Sequence, residues 1–331
     1  MAQVKKPRVF VTQPIAESAL KRLRALGTVR MNPDDSRAIP HAALVAAVKR
    51  ADILYCLLHD KIDRAVVAAN PNLRLIAAQS ITPSNIDVAA ATKLGIPVTV
   101  TAPVTTEATA DLTFGLILAA ARRMLEGDRL VRAGKFPGGQ SRHLMGALVH
   151  GKNLGLIGGG GLIGKAVARR AHGFGMRVLY WAPRRKAESE EREAGLTFAP
   201  LEDLLRQSDF VSVHAPLNAE THHQIGARDL GLMKRTAFIV NTARGAIIDE
   251  KALVRALKSG KIAGAGLDVF ESEPKVSADL RRLKNVVLTP HIGSATPETR
   301  ELMASIVADN IEAFLAGRVP PNCVNPQVLK A

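Results

Sequence analysis

Apolar and polar positions along the first hundred residues repeat in a regular order. Short apolar runs at Val9 to Val11, Ile53 to Leu58, Leu73 to Ala77 and Pro97 to Val100 read as strands. Residues 15–26, 41–50, 63–69 and 85–94 read as helices. Repeated strand–helix units imply a parallel sheet covered on both faces.

Residues 101–105 form a crossover. A long helix rich in Ala and Leu is expected from Thr106 to Arg123, capped by Thr105 or Thr106. Residues 134–151 hold five glycines and a proline and read as loop. The alternation resumes at Lys152. Strands are expected at Leu154 to Ile157, Val178 to Trp181, Phe210 to His214, Ala237 to Asn241, Gly264 to Val269 and Val286 to Thr289, with helices near 201–207, 227–233 and 249–259. This predicts a second, doubly wound sheet of six or seven strands. Thr296-Pro297-Glu298 starts a last helix that runs to about Ala316.

The stretch that organises the chain lies between the first two of those later strands. After Ile157 come four glycines, then Leu162, Ile163, Gly164 and a helix-forming run. Gly158 and Gly160 would place Ile163 at the third glycine of a G-x-G-x-x-G motif, which fails, whereas Gly159, Gly161 and Gly164 satisfy it. The first glycine permits the tight turn, the second lets backbone approach a pyrophosphate, and the third lets helix pack on strand. The helix N-terminus offers unpaired N–H groups and a partial positive charge. Strand, turn and helix together give the context that makes this a dinucleotide site. Gly158 is one glycine more than the motif needs.

The end of the second strand bears on which dinucleotide. NAD sites place an Asp or Glu there, about 20 residues on, for the ribose 2′-OH. Here the position is Ala182, followed by Arg184 and Arg185, with no acid between Gly161 and Glu188. Two guanidinium groups without a carboxylate suit a 2′-phosphate, so NADP is expected over NAD, which stays possible.

Composition narrows the alternatives. At 331 residues the chain has room for two domains. The longest strongly apolar run, Phe114 to Ala121, is too short for a bilayer, so no membrane partner is expected. MAQVKKPRVF lacks the apolar core of a signal peptide, and a cytoplasmic location is the expectation. Cys56 and Cys323 have no metal or redox spacing, and Cys56, within ILYCLL, reads as a core residue. The formal charge is +15, but the basic residues are dispersed and aromatics make up only 4%. That pattern is a solvated surface with a local part in anion capture, and no nucleic-acid partner is expected.

In open α/β sheets, ligands bind beyond the carboxyl ends of the strands. Four groups sit there. Arg244, in NTARG, is placed to hold a carboxylate bidentately. Asp268 ends its strand, either to accept from a nicotinamide carboxamide or to cap a turn. Glu271 and Glu273 follow in FESEP, and either can orient an imidazole and raise its pKa. His291, in VVLTPHIG, is the best-placed general acid/base, with His214 as competitor. His222 and His223 are adjacent, so their side chains are expected to diverge. With His214 they lack a zinc-ligand pattern, and no metal is expected.

These segments resemble the D-isomer-specific 2-hydroxyacid dehydrogenase family. LGLIGGGGLIG, HAPLNAETHHQI, NTARGAIIDEKAL, GAGLDVFESEP and TPHIGSAT stand in the family's order and approximate spacing. The resemblance implies two Rossmann-like domains with the site in their cleft. A dinucleotide-binding domain, 102–292, is inserted into a flavodoxin-like substrate domain, 1–101 with 293–331. It implies a homodimer contact through the first long helix of the nucleotide domain. It matches the catalytic roles to Arg244, to Glu273 rather than Glu271, and to His291. It matches cofactor contacts to Gly159, Gly161, Leu162, Ile163, Gly164, Pro216, Thr221, Thr242, Ala243 and Asp268. Lost acid with gained arginine marks the family's NADP-using members, such as glyoxylate/hydroxypyruvate reductases.

The implied reaction is hydride transfer to a small 2-keto acid. Arg244 holds the carboxylate, and His291, paired with Glu273, donates the proton. The family's substrate loop carries Gly-x-Gly, whose backbone N–H groups help hold that carboxylate. Here Ser80, Ile81 and Thr82 occupy the segment, and Ile81 and Thr82 are the expected substrate contacts. At this length, the regulatory domain of longer phosphoglycerate dehydrogenases is not expected. One branch of the family, the C-terminal-binding proteins, serves instead as a nucleotide-sensing corepressor. Turnover of a 2-keto acid separates that alternative from a reductase.

Overall fold

The computed structural model describes residues 6–329. They form two compact units: the described residues through Val104 with those from Ala295 onward, and Thr105–Ser294.

The first unit holds β1 (Arg8–Val11), β2 (Thr28–Met31), β3 (Ile53–Leu57), β4 (Leu75–Gln79) and β5 (Val98–Thr99), all parallel, in the order β2-β1-β3-β4-β5. This is the flavodoxin-like order. Side chains alternate between two cores. Val9, Val11, Ile53, Tyr55, Leu75 and Ala77 pack on Ala304, Val307 and Ile311 of the helix Pro297–Leu315. Phe10, Leu54, Cys56, Ile76 and Ala78 line the other face, where Cys56 is fully buried and free. β2 escaped the sequence reading because TVRM, at the sheet edge, alternates exposed and half-buried residues and has no apolar run.

The second unit holds β6 (Asn153–Ile157), β7 (Arg177–Trp181), β8 (Thr197–Phe198), β9 (Phe210–Val213), β10 (Phe238–Asn241), β11 (Gly264–Leu267) and β12 (Val286–Leu288). All are parallel, in the order β12-β11-β10-β9-β6-β7-β8. Strand order reverses between β6 and β9, and ligands bind such sheets at that switch point. The helix Thr106–Ala121 lies close on β11, where a Cβ at Gly266 would fall 2.9 Å from the Leu116 Cβ. Thr105 stands at its N-cap position without a side-chain capping bond. The helix Met124–Arg132, not expected from the sequence, buries none of its residues. No helix of the described residues is long and apolar enough to cross a membrane.

Candidate active site

After β6 the chain turns through Gly158–Gly161 into the helix Leu162–Gly173. A Cβ at Gly159 would lie 2.7 Å from the Cβ atoms of Leu156 and Tyr180. One at Gly164 would lie 2.5 Å from the Gly159 Cα, so strand and helix touch backbone to backbone there. Gly161 differs: its Cβ would meet only the Gly158 carbonyl oxygen, at 3.4 Å. It borders open space over a helix start whose first N–H groups have no intrahelical acceptor. Leu162 is exposed and Ile163 half-buried beside it. A dinucleotide's pyrophosphate fits this cradle, which a side chain at Gly161 would fill. Gly158 acquires a reason as well. Its φ is +82°, and a Cβ there would lie 2.7 Å from the Ala215 nitrogen, across the switch point. Beyond Ala215, Pro216 is exposed and Thr221 buried. Thr221 Oγ1 donates to the Pro216 carbonyl at 2.6 Å and accepts the Asn218 N–H at 2.9 Å, stapling its own loop.

At the far edge of the turn the structure corrects one expectation. Ala182 is half-buried, and Arg184 is exposed with no side-chain partner among the described residues. Arg185, in contrast, has its carboxylate: Nε and Nη2 donate to Glu191 at 2.9 and 2.8 Å. Glu191 also accepts the Tyr180 hydroxyl at 2.7 Å. Arg185 first, then Tyr180, hold the Glu191 carboxyl down at about 2. The acid reaches back from the helix Glu188–Ala194, beyond the strand end where dinucleotide sites place theirs. Lys186 was missed altogether. Its N–H donates to the Tyr180 hydroxyl at 2.8 Å, and its aliphatic stem covers Gly160, whose Cβ would lie 2.9 Å from the Lys186 Cε. Its position next to two arginines was the available signal.

The chemistry-bearing residues come from the ends of β10, β11 and β12. Asn241 closes the first turn, accepting the Ala243 N–H at 3.0 Å and donating to the Arg244 carbonyl at 2.9 Å. Thr242 is buried with its hydroxyl 2.9 Å from that of Thr113, and Ala243 is half-buried. Arg244 Nη1 donates to the Ala243 carbonyl at 2.7 Å. Burial pushes the Arg244 pKa down, and the charge of Glu273 opposes that shift. Glu273 accepts the Phe270 N–H at 2.8 Å through Oε1, while Oε2 lies 2.8 Å from His291 Nδ1. Of the two glutamates left open by composition, Glu273 is the one against the histidine.

His291 has φ +55°, a left-handed conformation uncommon outside glycine. Asp268, 1% exposed, holds that turn. Oδ1 accepts the Thr289 hydroxyl at 2.6 Å and the Ile292 N–H at 2.8 Å, and Oδ2 accepts the Gly293 N–H at 2.8 Å. Burial nevertheless raises the Asp268 pKa above its ordinary value. The geometry seen for Asp268 is therefore turn capping. His214 drops out as a competitor: burial lowers its pKa to about 4, leaving it uncharged near neutral pH, and Nε2 faces the Ser212 hydroxyl at 2.9 Å. His222 and His223 do not diverge. Their rings stack with centroids 4.1 Å apart, because His223 takes a φ of +51° that turns its side chain back.

In the five-stranded unit, β4 runs into the segment Gln79 to Ser84. Tyr55 donates to Gln79 Oε1 at 2.5 Å beneath it. Ser80 is buried and its hydroxyl donates to the Thr82 carbonyl at 2.9 Å; Ile81 is half-buried and Thr82 exposed. None of the three has a positive φ, so this loop follows a path open to any L-residue and needs no glycine.

Residues 114–293 match the family described as "D-isomer specific 2-hydroxyacid dehydrogenase, NAD binding domain". A protein of Thermococcus litoralis named glyoxylate reductase is 47% identical over 328 residues, 98% of this chain and 98% of that protein. The solved TT0316 protein of Thermus thermophilus is 44% identical, with a TM-score of 0.88 over 96% of this chain and 99% of that one. An NADPH-dependent glyoxylate/hydroxypyruvate reductase of Sinorhizobium meliloti, solved with NADP and malonate, is 31% identical with a TM-score of 0.83, covering 97% and 98% of the two chains. The chain belongs to the D-isomer specific 2-hydroxyacid dehydrogenase family and is an oxidoreductase that moves a hydride between a nicotinamide cofactor and a 2-keto or 2-hydroxy acid.

Proposed function

We propose that the protein is an NADP-preferring reductase of glyoxylate or hydroxypyruvate, with Arg244, Glu273 and His291 as its catalytic residues. The contact that carries this reading is the one between His291 Nδ1 and Glu273 Oε2, at 2.8 Å. The carboxylate holds the ring through Nδ1, and Nε2 is the atom assigned to hand a proton to the developing alkoxide. Arg244 takes the substrate carboxylate bidentately and polarises the neighbouring carbonyl. Bound nicotinamide supplies the hydride. In oxidation the same imidazole accepts the proton.

The seven-stranded unit takes the dinucleotide in this reading. NADP is supported by Ala182 in place of an acid, by exposed Arg184, by Lys186 over Gly160, and by the Sinorhizobium relative solved with NADP. Arg185 contributes only as far as Glu191 leaves it available. The relatives' reductase names favour turnover over nucleotide sensing. A second copy of the chain is proposed to cover Leu125, Val131, Phe136, Met145 and Leu148, which are 37–69% exposed on and after the helix Met124–Arg132. Sedimentation at the mass of a single chain would remove that part.

The test of the reaction follows reduced-nicotinamide absorbance with NADPH and NADH on a panel of 2-keto acids. Turnover of glyoxylate or hydroxypyruvate with NADPH is expected, falling by about a hundredfold or more in His291→Ala while nucleotide still binds. Unchanged turnover in that variant would sink the catalytic assignment, and a clear preference for NADH would defeat the cofactor assignment.

A further inference from the structure

Two loops of the seven-stranded unit carry the proposed catalytic groups, one after β10 with Arg244 and one after β11 with Glu273. They meet backbone to backbone: a Cβ on Gly245 would lie 1.9 Å from the Phe270 carbonyl carbon and 2.4 Å from the Glu271 nitrogen. A third segment, 221–225, is tied to both. The His223 N–H donates to the Ala246 carbonyl at 2.8 Å, and the Ile225 N–H to that of Ile247 at 3.1 Å. The Asp249 N–H returns to the Ile225 carbonyl at 3.0 Å, so the segments form a short parallel bridge. The His223 side chain reaches the other loop, with Nε2 3.1 Å from Glu271 Oε1. Glu271 Oε2 accepts the Glu250 N–H at 3.1 Å, and the Glu271 N–H donates to Glu250 Oε2 at 3.2 Å.

His223 is thus tied by its backbone two residues past Arg244, and by its side chain two residues before Glu273. It does this from a left-handed φ of +51°. Such conformations persist where surrounding contacts over-determine them. Phe270, next to Glu271 in the chain, is the residue whose N–H holds Glu273 Oε1 at 2.8 Å. A shift of Glu271 therefore moves the donor that orients the Glu273 carboxylate, and with it the His291 ring.

We infer that His223 and Glu271 are a positioning pair that keeps the Arg244 loop and the Glu273 loop in register. The inference rests on the catalytic reading given above. Neither residue is a proton donor to substrate; both act through Arg244 and Glu273. Since a displacement of about 1 Å at a reacting group costs about 100-fold in rate, partial loosening of this register is expected to cost about tenfold.

The test uses the full chain with NADPH and glyoxylate, comparing His223→Ala, His223→Gln and Glu271→Gln with His291→Ala. His223→Ala is expected to lower kcat about tenfold. It should also raise the primary isotope effect seen with C4-deuterated NADPH, because hydride transfer becomes slower against product release. The nucleotide Kd by fluorescence titration should stay unchanged, and the melting temperature should stay within about 2 °C. His223→Gln, which keeps a donor near Nε2, should recover most of the loss, and Glu271→Gln should reproduce it. If His223→Ala melts well below the parent protein, Glu271→Gln decides. Two results overturn the pair: kcat and isotope effect unchanged in both His223→Ala and Glu271→Gln, or a fall in kcat that tracks lost nucleotide binding and lost melting temperature. Unchanged kcat in His291→Ala would instead bring down the catalytic reading itself.

Discussion

Two regions along the same sheet edge are built in opposite ways. The turn after β6 is made by missing side chains: at Gly158, Gly159 and Gly164 a Cβ would fall within 2.8 Å of another atom, and at Gly161 it would fill open space. The proton site is made by side chains that reach far along the chain. Asp268 holds residues up to 25 positions on, and Glu273 meets His291 across 18. The first is signalled by a motif within a dozen consecutive residues, although Gly158 and Gly159 fit against Ala215, just past β9, and Tyr180 of β7. The second exists only once β11 and β12 lie side by side and bring their loops together.

The largest effect is expected where these two designs meet. Gly245 lies in the proton site but works as the turn glycines do, by close approach of backbone to Phe270. Gly245→Ala should force the Arg244 and Glu273 loops apart and lower kcat/KM by at least about 1,000-fold, well beyond the cost of a displacement of about 1 Å. Overpacking should also cost about 1–3 kcal/mol or more in thermal unfolding. The counterpart is Gly161→Ala, which meets only one atom, at 3.4 Å. It should leave the melting temperature within about 2 °C yet weaken nucleotide binding about tenfold or more, because the added methyl occupies the pyrophosphate's approach. A destabilised Gly161→Ala with normal nucleotide affinity would break the contrast between the two regions.

A smaller effect is expected at Asp268. Asp268→Asn exchanges one acceptor oxygen for an amide that faces a backbone donor, and leaves a buried group unsatisfied at a cost of about 1–3 kcal/mol. The turn it releases holds His291 at a positive φ, so kcat should fall about ten- to a hundredfold with little change in nucleotide Kd. Equal loss of nucleotide affinity would show that Asp268 serves the cofactor directly rather than the turn.

The same contrast explains what was legible in the sequence. Strand positions, the glycine register, and the candidacy of Arg244 and His291 were readable because each depends on a local pattern or a strand end. β2 and β8 were not, since an edge strand of four residues and one of two carry no apolar run. Choosing Glu273 over Glu271 needed the resemblance, because both follow β11 and only tertiary structure shows which meets the imidazole. The Arg185–Glu191 pair escaped for a related reason. Glu191 stands on a separate helix, and nothing in the strand-end pattern says that a helix will return its acid to the arginine. The stacked histidines failed on a rule of thumb: adjacent side chains diverge in regular structure, but not where one residue is left-handed.

Glu191 supplies the finest test, since it asks whether the adenosine end of the turn also relies on a buried side-chain network. Its carboxyl is held at about 2 by Arg185 and Tyr180, below its ordinary value of 4.5. The unfolded chain therefore binds more protons than the folded one between these values, so the stability Glu191 contributes is complete above pH 4.5 and is lost as pH falls toward 2. Glu191→Gln should remove that component, and its stability should decline less steeply with acid across the same window than that of the parent protein. The variant also releases Arg185 beside exposed Arg184 and Lys186. If the arginine then joins the 2′-phosphate, binding of 2′,5′-ADP should tighten by about two- to fivefold, the modest gain of one surface-exposed charge contact. An unchanged acid slope would mean that the Arg185–Glu191 contact is not maintained in solution. An unchanged slope together with unchanged 2′,5′-ADP binding would confine the cofactor's adenosine end to the glycines, Arg184 and Lys186, and make the contrast with the proton site sharper still.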